Sequence, residues 1–262
     1  MSDNKAKILL LDIETKPVQA YVWSLWKQNV GINQIEADWS VLTWAAKWLD
    51  DDEMLSDSQW HYESDDTEHD YRVVDSMWEL LDEADIVIGH NSDKFDLKKL
   101  NARFAYHKMP PPSPYQKIDT LKIARKHFNF TSNKLDYLAQ HLGVGKKMKT
   151  GGFELWTGCM NQEEDSWNKM LKYNKRDVKI LEKVYKRLLP WITNHPNVSV
   201  YSDKEERVCP NCGSHKVYKR GHYYTKIGRY QKYICDGCGA FSKERTSNQT
   251  PVKRKTILSG AA

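Results

Sequence analysis

Three short stretches of the chain hold acids where acids are costly. In LLLDIET, residues 9–15, Asp12 and Glu14 stand one residue apart inside an apolar run. Alternate residues of a strand point to one face, so this run places both carboxylates together at the end of a buried element. Like charges in that position repel each other and lose hydration, and a bound cation would compensate both effects. GHNSDKFDLKKL puts Asp96 at the start of a helix directly after a buried strand, with Asn91 at the turn. YNKRDVKIL puts Asp177 on a long helix, with Tyr173 four residues earlier and so on the same helical face. Strand ends and helix starts border the ligand crevice of open α/β sheets. Four carboxylates meeting there would suit two hard divalent cations, which take oxygen ligands. Such a pair of ions activates a water and stabilises the leaving oxygen of a phosphodiester.

A second chemistry lies near the C-terminus. Cys209 and Cys212 form one CxxC pair, Cys235 and Cys238 another, with 22 residues between the pairs. Two such knuckles on opposing hairpins supply a four-thiolate Zn²⁺ site, closed and therefore structural. So small a module lacks an adequate core of its own, and metal binding would supply its folding energy. Tyr223, Tyr224, Tyr230, Tyr233 and Phe241 are interleaved with Lys216, Lys219, Arg220, Lys226, Arg229 and Lys232. Cations that track phosphates and rings that stack bases make this a candidate grip on nucleic acid. Docking on a protein partner, such as a polymerase or another replication protein, is the alternative.

The elements that must position these residues follow from periodicity. WSVLTWAAKWLD and MLSDSQWHYE flank the acidic turn DDDE as a hairpin. Residues 71–82 have helical spacing, ADIVIGHN reads as a buried strand, and KFDLKKLNARFAYH starts a helix. MPPPSP is a loop. KIDTLKIARKHF is a short strand with a helix, and NKLDYLAQHLGV is a helix closed by Gly143. Residues 163–192 make a long amphipathic helix. Strands first, then strand and helix in alternation, give an α/β domain with a mixed sheet. The expected division is a domain over 1–195, a linker over 196–206, a zinc ribbon over 207–245 and a basic flexible tail over 246–262. Tyr21, Trp23 and Trp26 have a base-stacking use, but such aromatics more often belong to a core. The basic loop GVGKKMKTGG lacks the spacing of a phosphate loop, which leaves contact with a phosphate backbone as its use.

Charge divides in the same place. From Lys204 onward there are 13 Lys/Arg and 4 Asp/Glu, a balance of +9, against 27 and 31, or −4, in the preceding residues. An acidic body with a basic end module suggests that the end module meets a polyanion. No apolar run approaches the roughly 18 residues of a membrane span, and MSDNKAK has no signal-peptide core. The expectation is a soluble protein of a reducing compartment, with no membrane partner. Lone Cys159 and His90 read as structural residues.

LLLDIET, GHNSDKFD and YNKRD together resemble the three exonuclease motifs of the DEDD superfamily of 3′→5′ exonucleases, over about residues 1–190. The resemblance implies an RNase H-like mixed sheet flanked by helices, with Asp12, Glu14, Asp96 and Asp177 as the acids that bind two Mg²⁺ or Mn²⁺. Lys172 stands where the histidine subfamily has its histidine, so the chain looks like the tyrosine type, DEDDy. Tyr173 would then position the attacking water. Asp93 competes with Asp96 but lacks the preceding Phe of the family pattern. Thr15 resembles the position whose backbone holds the terminal nucleotide, and Asn91 is a substrate contact or an Asx turn. The implied activity is hydrolysis at single-stranded or frayed DNA 3′ ends, in replication, repair or degradation. The setting would be the cytoplasm of a bacterium or a phage-infected host. An exoribonuclease shares the chemistry, and a catalytically silent nucleic-acid-binding adaptor shares the fold. The four-cysteine segment resembles zinc ribbons of insertion-sequence transposases, which implies a ribbon and not transposition.

Overall fold

The computed structural model describes residues 5–62, 70–203 and 205–260. Outside them lie residues 1–4 and 63–69 of the first expected domain, among them Glu63 of its expected second hairpin strand, Lys204 of the linker, and residues 261–262 of the tail. The chain divides into two compact units, one over Lys7–Tyr185 and one formed mainly by Lys186–Ala262.

In the first unit the apolar run forms strand β1 (Ile8–Thr15). A two-stranded ribbon follows, β2 (Gln19–Ala20) with β3 (Ile35–Ala37). The expected hairpin is β4 (Val41–Trp48) with β5 (Leu55–Ser58). Then come α1 (Tyr71–Glu83), β6 (Ile86–Gly89), α2 (Asp96–Tyr106), β7 (Gln116–Asp119) and α3 (Thr120–His127). The unit closes with α4 (Leu135–His141), α5 (Glu154–Met160) and most of α6 (Glu164–Leu188). The sheet order is β5-β4-β1-β6-β7. β1 pairs antiparallel with β4 and parallel with β6, so the sheet is mixed and β1 lies at its centre.

The pleat divides β1 between two faces. Leu9, Leu11 and Ile13 face a core with Trp44, Val74, Met77 and Leu81, together with Leu97, Leu100 and Phe104 of α2. Leu10, Asp12 and Glu14 therefore face the other way, toward α6. That helix buries Trp167, Met170, Val178, Leu181 and Val184, a stripe at the spacing of one helical face. Gly143 closes α4 at φ +66, a conformation glycine adopts without steric cost. Tyr21, Trp23 and Trp26 depart from the core expectation. They are exposed, Trp23 at 96%, because the segment between β2 and β3 forms an irregular loop with little pairing of its own.

In the second unit, β8 (Val217–Tyr224), β9 (Arg229–Cys235) and β10 (Phe241–Lys243) form an antiparallel sheet in the order β10-β9-β8. The main segment of this unit begins at Lys186. Asn211 of the first knuckle donates to the carbonyls of Leu189 and Ile192, both at 3.3 Å, and ties that segment to the ribbon. The tail also differs from the structureless expectation, since Pro251–Thr256 forms helix α7. Thr250 caps it by accepting from the Lys253 amide at 3.1 Å, and Pro251 occupies the first turn, where a missing N–H costs nothing. No helix among the described residues is long and apolar enough to cross a membrane.

Candidate functional site

Two polar residues interrupt the buried stripe of α6, and both meet the acid face of β1. Asn174, fully buried, donates through Nδ2 to Asp12 Oδ2 at 2.7 Å and to the Asp12 carbonyl at 3.1 Å. Its Oδ1 accepts from Thr43 Oγ1 of β4 at 3.2 Å. One turn on, Asp177 comes to Asp12 and Glu14, and one carboxylate oxygen from each of the three lies within 4.8 Å of the others.

Burial dominates the electrostatics, followed at Asp12 by repulsion from its neighbours and at Glu14 and Asp177 by the opposing Lys147. Burial first, then Glu14, Asp96 and Asp177, raise the Asp12 carboxyl well above the ordinary carboxylate range. Burial raises Glu14 to about 8 against the opposing pull of Lys147. Asp177 is raised by burial too, again with Lys147 opposing. The Lys147 ammonium pairs directly with Asp177 Oδ2 and donates to the Tyr173 hydroxyl at 3.1 Å. The other Asp177 oxygen, Oδ1, is buried with no hydrogen-bond partner among the described residues. Converging carboxylates with an orphaned buried oxygen are a donor set that suits a hard divalent cation.

Asp96 adjoins this group through the backbone of β1 and lies outside the three-acid cluster. It is buried at the first position of α2, and its Oδ1 accepts from the Ile13 amide at 3.1 Å. Burial raises its carboxyl to about 7, although that amide stabilises the ionised form. Asp93, the rival acid, is paired with Lys122 at 2.5 Å and Lys117 at 3.4 Å. Asn91 turns the chain at φ +68, which asparagine tolerates better than most residues. Its amide donates to Asp119 Oδ1 at 2.9 Å. Asp119 also caps α3 through the Leu121 amide at 3.0 Å, and so fixes the turn that leads into Asp96. Thr15 ends β1 beyond a bulge and pairs with Val41.

Asn174, Lys147 and Asp119 were not singled out from the sequence. An asparagine in the middle of an apolar helical stripe is a readable signal, and so is an Asp just before the first turn of α3. Lys147 lies in a loop whose only sequence cue is its basic character. The two residues read as structural are well accommodated. His90 engages Thr120 Oγ1 at 2.9 Å and the Asn133 carbonyl at 3.0 Å, and burial lowers its imidazole to about 4. Burial, then Glu163 and Glu14, push the Cys159 thiol to about 12.

In the second unit the four cysteines of the two knuckles converge. Cys209 Sγ lies 3.7 Å from Cys238 Sγ, and Cys212 Sγ lies 3.6 Å from Cys235 Sγ. Four sulfurs each about 2.3 Å from a central Zn²⁺ would stand about 3.8 Å apart, so the cluster is compatible with zinc. The knuckles CPNCG and CDGCG fold alike. Gly213 at φ +71 donates to the Cys209 carbonyl and Gly239 at φ +77 to that of Cys235, both at 2.9 Å.

Comparison with known proteins bears on the first unit. The family model described as RNase_H superfamily matches residues 9–189. The chain belongs to the RNase_H superfamily. The match runs from β1 through α6, and so contains every acid of the candidate site. Among solved structures, the family B DNA polymerase from the hyperthermophilic archaeon Pyrobaculum calidifontis is similar, with a TM-score of 0.54 and 16% identity. The likeness covers 85% of this chain and 31% of the polymerase, so the chain spans about a third of that protein. Similarity at this identity bears on fold. Among curated proteins none matches. Membership of the RNase_H superfamily and the acid cluster together support a nuclease that uses divalent metals.

Proposed function

We propose that the chain is a metal-dependent 3′→5′ exonuclease of the DEDDy type, acting on single-stranded or frayed DNA ends. The observation that carries this reading is the convergence of Asp12, Glu14 and Asp177 on one face of the central strand, with Tyr173 one turn from Asp177. Asp12, Glu14 and Asp177 would hold divalent ions, with Asp96 bringing the fourth carboxylate to the site. When bound, Mg²⁺ or Mn²⁺ would supply a water of lowered pKa and charge stabilisation at the leaving oxygen. The Tyr173 hydroxyl stays protonated, since burial and Asp177 raise its pKa, and so is able to orient the attacking water by hydrogen bonding. Lys147 offers a cation beside that hydroxyl, where a scissile phosphate would carry its charge. Asn174 holds the Asp12 carboxylate in place. Thr15 and Asn91, at the ends of β1 and β6, would contact the terminal nucleotide. The four cysteines would hold one structural Zn²⁺, and the ribbon would grip nucleic acid.

The test is incubation of 5′-labelled single-stranded DNA and RNA of one sequence with Mg²⁺ or Mn²⁺, with Asp12→Asn as control. A ladder shortening from the 3′ end, absent in the control, is the expected result. Faster loss of the RNA would make the chain an exoribonuclease. Intact DNA and RNA with folded protein would overturn the enzyme reading in favour of a binding adaptor.

A further inference from the structure

The three strands of the ribbon bring aromatic residues to one face, and a bulge makes this alignment. Tyr218 of β8 pairs with Ile234 of β9, which pairs in turn with Phe241 of β10. Tyr223 of β8 pairs with Tyr230 of β9. On β9, residues 230 and 234 are four apart and share a face by alternation. On β8, residues 218 and 223 are five apart, so an unbroken strand would put them on opposite faces. The register shifts between Lys219 and His222, with Gly221 at φ +70. That extra residue returns Tyr223 to the side of Tyr218.

Lysines share the face. Lys232 pairs with Lys243 across β9 and β10. Lys232 Nζ lies 5.4 Å from the centre of the Phe241 ring, and Lys243 Nζ lies 4.3 Å from that of Tyr230 and 5.8 Å from that of Tyr223. Tyr218, Tyr223 and Phe241 are 58%, 46% and 57% exposed. On the reverse face Tyr233 is buried and donates to Glu244 at 2.6 Å. Tyr233 and Tyr224 are thereby separated from the ring set suggested by the sequence.

We infer that this face, built from Tyr218, Tyr223, Tyr230 and Phe241 with Lys232 and Lys243, is a stacking platform for unpaired bases of a single-stranded nucleic acid. The inference rests on nucleic acid being the ligand class of the chain, and it names the surface and the form of that ligand. Single exposed apolar side chains need no explanation. A continuous row across all three strands, interleaved with lysines, does. A sheet that presents rings outward stacks successive bases, whatever their sequence, because every base has a π-face. A duplex hides those faces. The +9 balance of the segment from Lys204 onward favours a polyanion over an apolar protein groove.

The experiment uses the full chain with zinc content checked and no added Mg²⁺ or Mn²⁺. Binding of a labelled oligothymidylate, and of a duplex of equal length, is followed by fluorescence anisotropy. Tyr218→Ala with Phe241→Ala is expected to weaken single-strand binding about tenfold or more, and Tyr224→Ala on the reverse face less than about twofold. A platform variant that retains zinc and parental affinity would overturn the inference and leave the face to a protein partner. Duplex bound as tightly as the single strand would overturn it as well. Cleavage is read separately. A chain that cleaves nothing yet loses single-strand affinity through Tyr218 and Phe241 sinks the exonuclease proposal and supports the platform.

Discussion

Asn174 holds Asp12 twice, by its carboxylate at 2.7 Å and by its carbonyl at 3.1 Å, and so fastens helix α6 to the central strand at the acid pair. Asn174 is buried and Asp12 half-buried, so the contact serves the fold and the site at once. Asn174→Ala would leave Thr43 and Asp12 without this partner, at a cost of about 1–3 kcal/mol. Urea denaturation measures it. Asn174→Asp keeps the shape and adds a carboxylate beside Asp12, so its loss should exceed that of the alanine variant at alkaline pH and shrink on acidification.

Asp12→Asn is expected to lower turnover by about a hundredfold or more and to raise the melting temperature of the metal-free protein near neutral pH. The two effects have one cause, since an amide removes a charge that its neighbours repel. Coincident loss of activity and of stability would contradict this.

The raised carboxyls set a pH dependence. Glu14 at about 8 and Asp96 at about 7 both lie above their ordinary values in the folded chain. Folding therefore favours their protonated forms. The stability they contribute is complete below the ordinary carboxylate range and is lost as pH rises toward about 8. Divalent ions bind the ionised carboxylates and release those protons. The gain in melting temperature on adding Mg²⁺ or Mn²⁺ should accordingly be larger near pH 8 than near pH 6. An equal gain at both would place the ions elsewhere.

Tyr173→Phe removes one hydroxyl and none of the charge, so turnover should fall about tenfold, the worth of one hydrogen bond. Lys147→Met removes the ammonium paired with Asp177 and should make the metal-free protein less stable and its gain from added cation larger. Both are read by steady-state kinetics alongside thermal melts.

Metal analysis of the purified chain should give about one Zn²⁺ per molecule, lost in Cys209→Ser or Cys235→Ser. A chelator should melt the ribbon, which amide exchange across β8 and β9 would register.

Periodic elements could be read from the sequence because their periods are physical. The apolar run of β1, the stripe of α6 and the spacing of the two knuckles each encode a face or a turn. The alternation that set Asp12 beside Glu14 needs only a strand. What escaped was carried by tertiary context. Lys147 reaches Asp177 from a loop 30 residues away in sequence, and no local pattern announces such a partner. The exposure of Trp23 and Trp26 ran against their hydrophobicity, because composition alone does not reveal a loop that has little to pack against. The shift of register at Gly221 changes which tyrosines are neighbours, and alternation counted through it sorts them wrongly.

β1 pairs with β4 from Leu9 to Thr15 and with β6 from Ile8 to Leu10, and beyond Leu10 its Ile13 amide is held by Asp96. Its amides should exchange with solvent only when the whole sheet opens. Damage by heat or denaturant would then leave no population that is folded yet lacks its acid pair. Inactivation and global unfolding should share one rate, and every chain that survives a heat challenge should emerge with Asp12 and Glu14 in place.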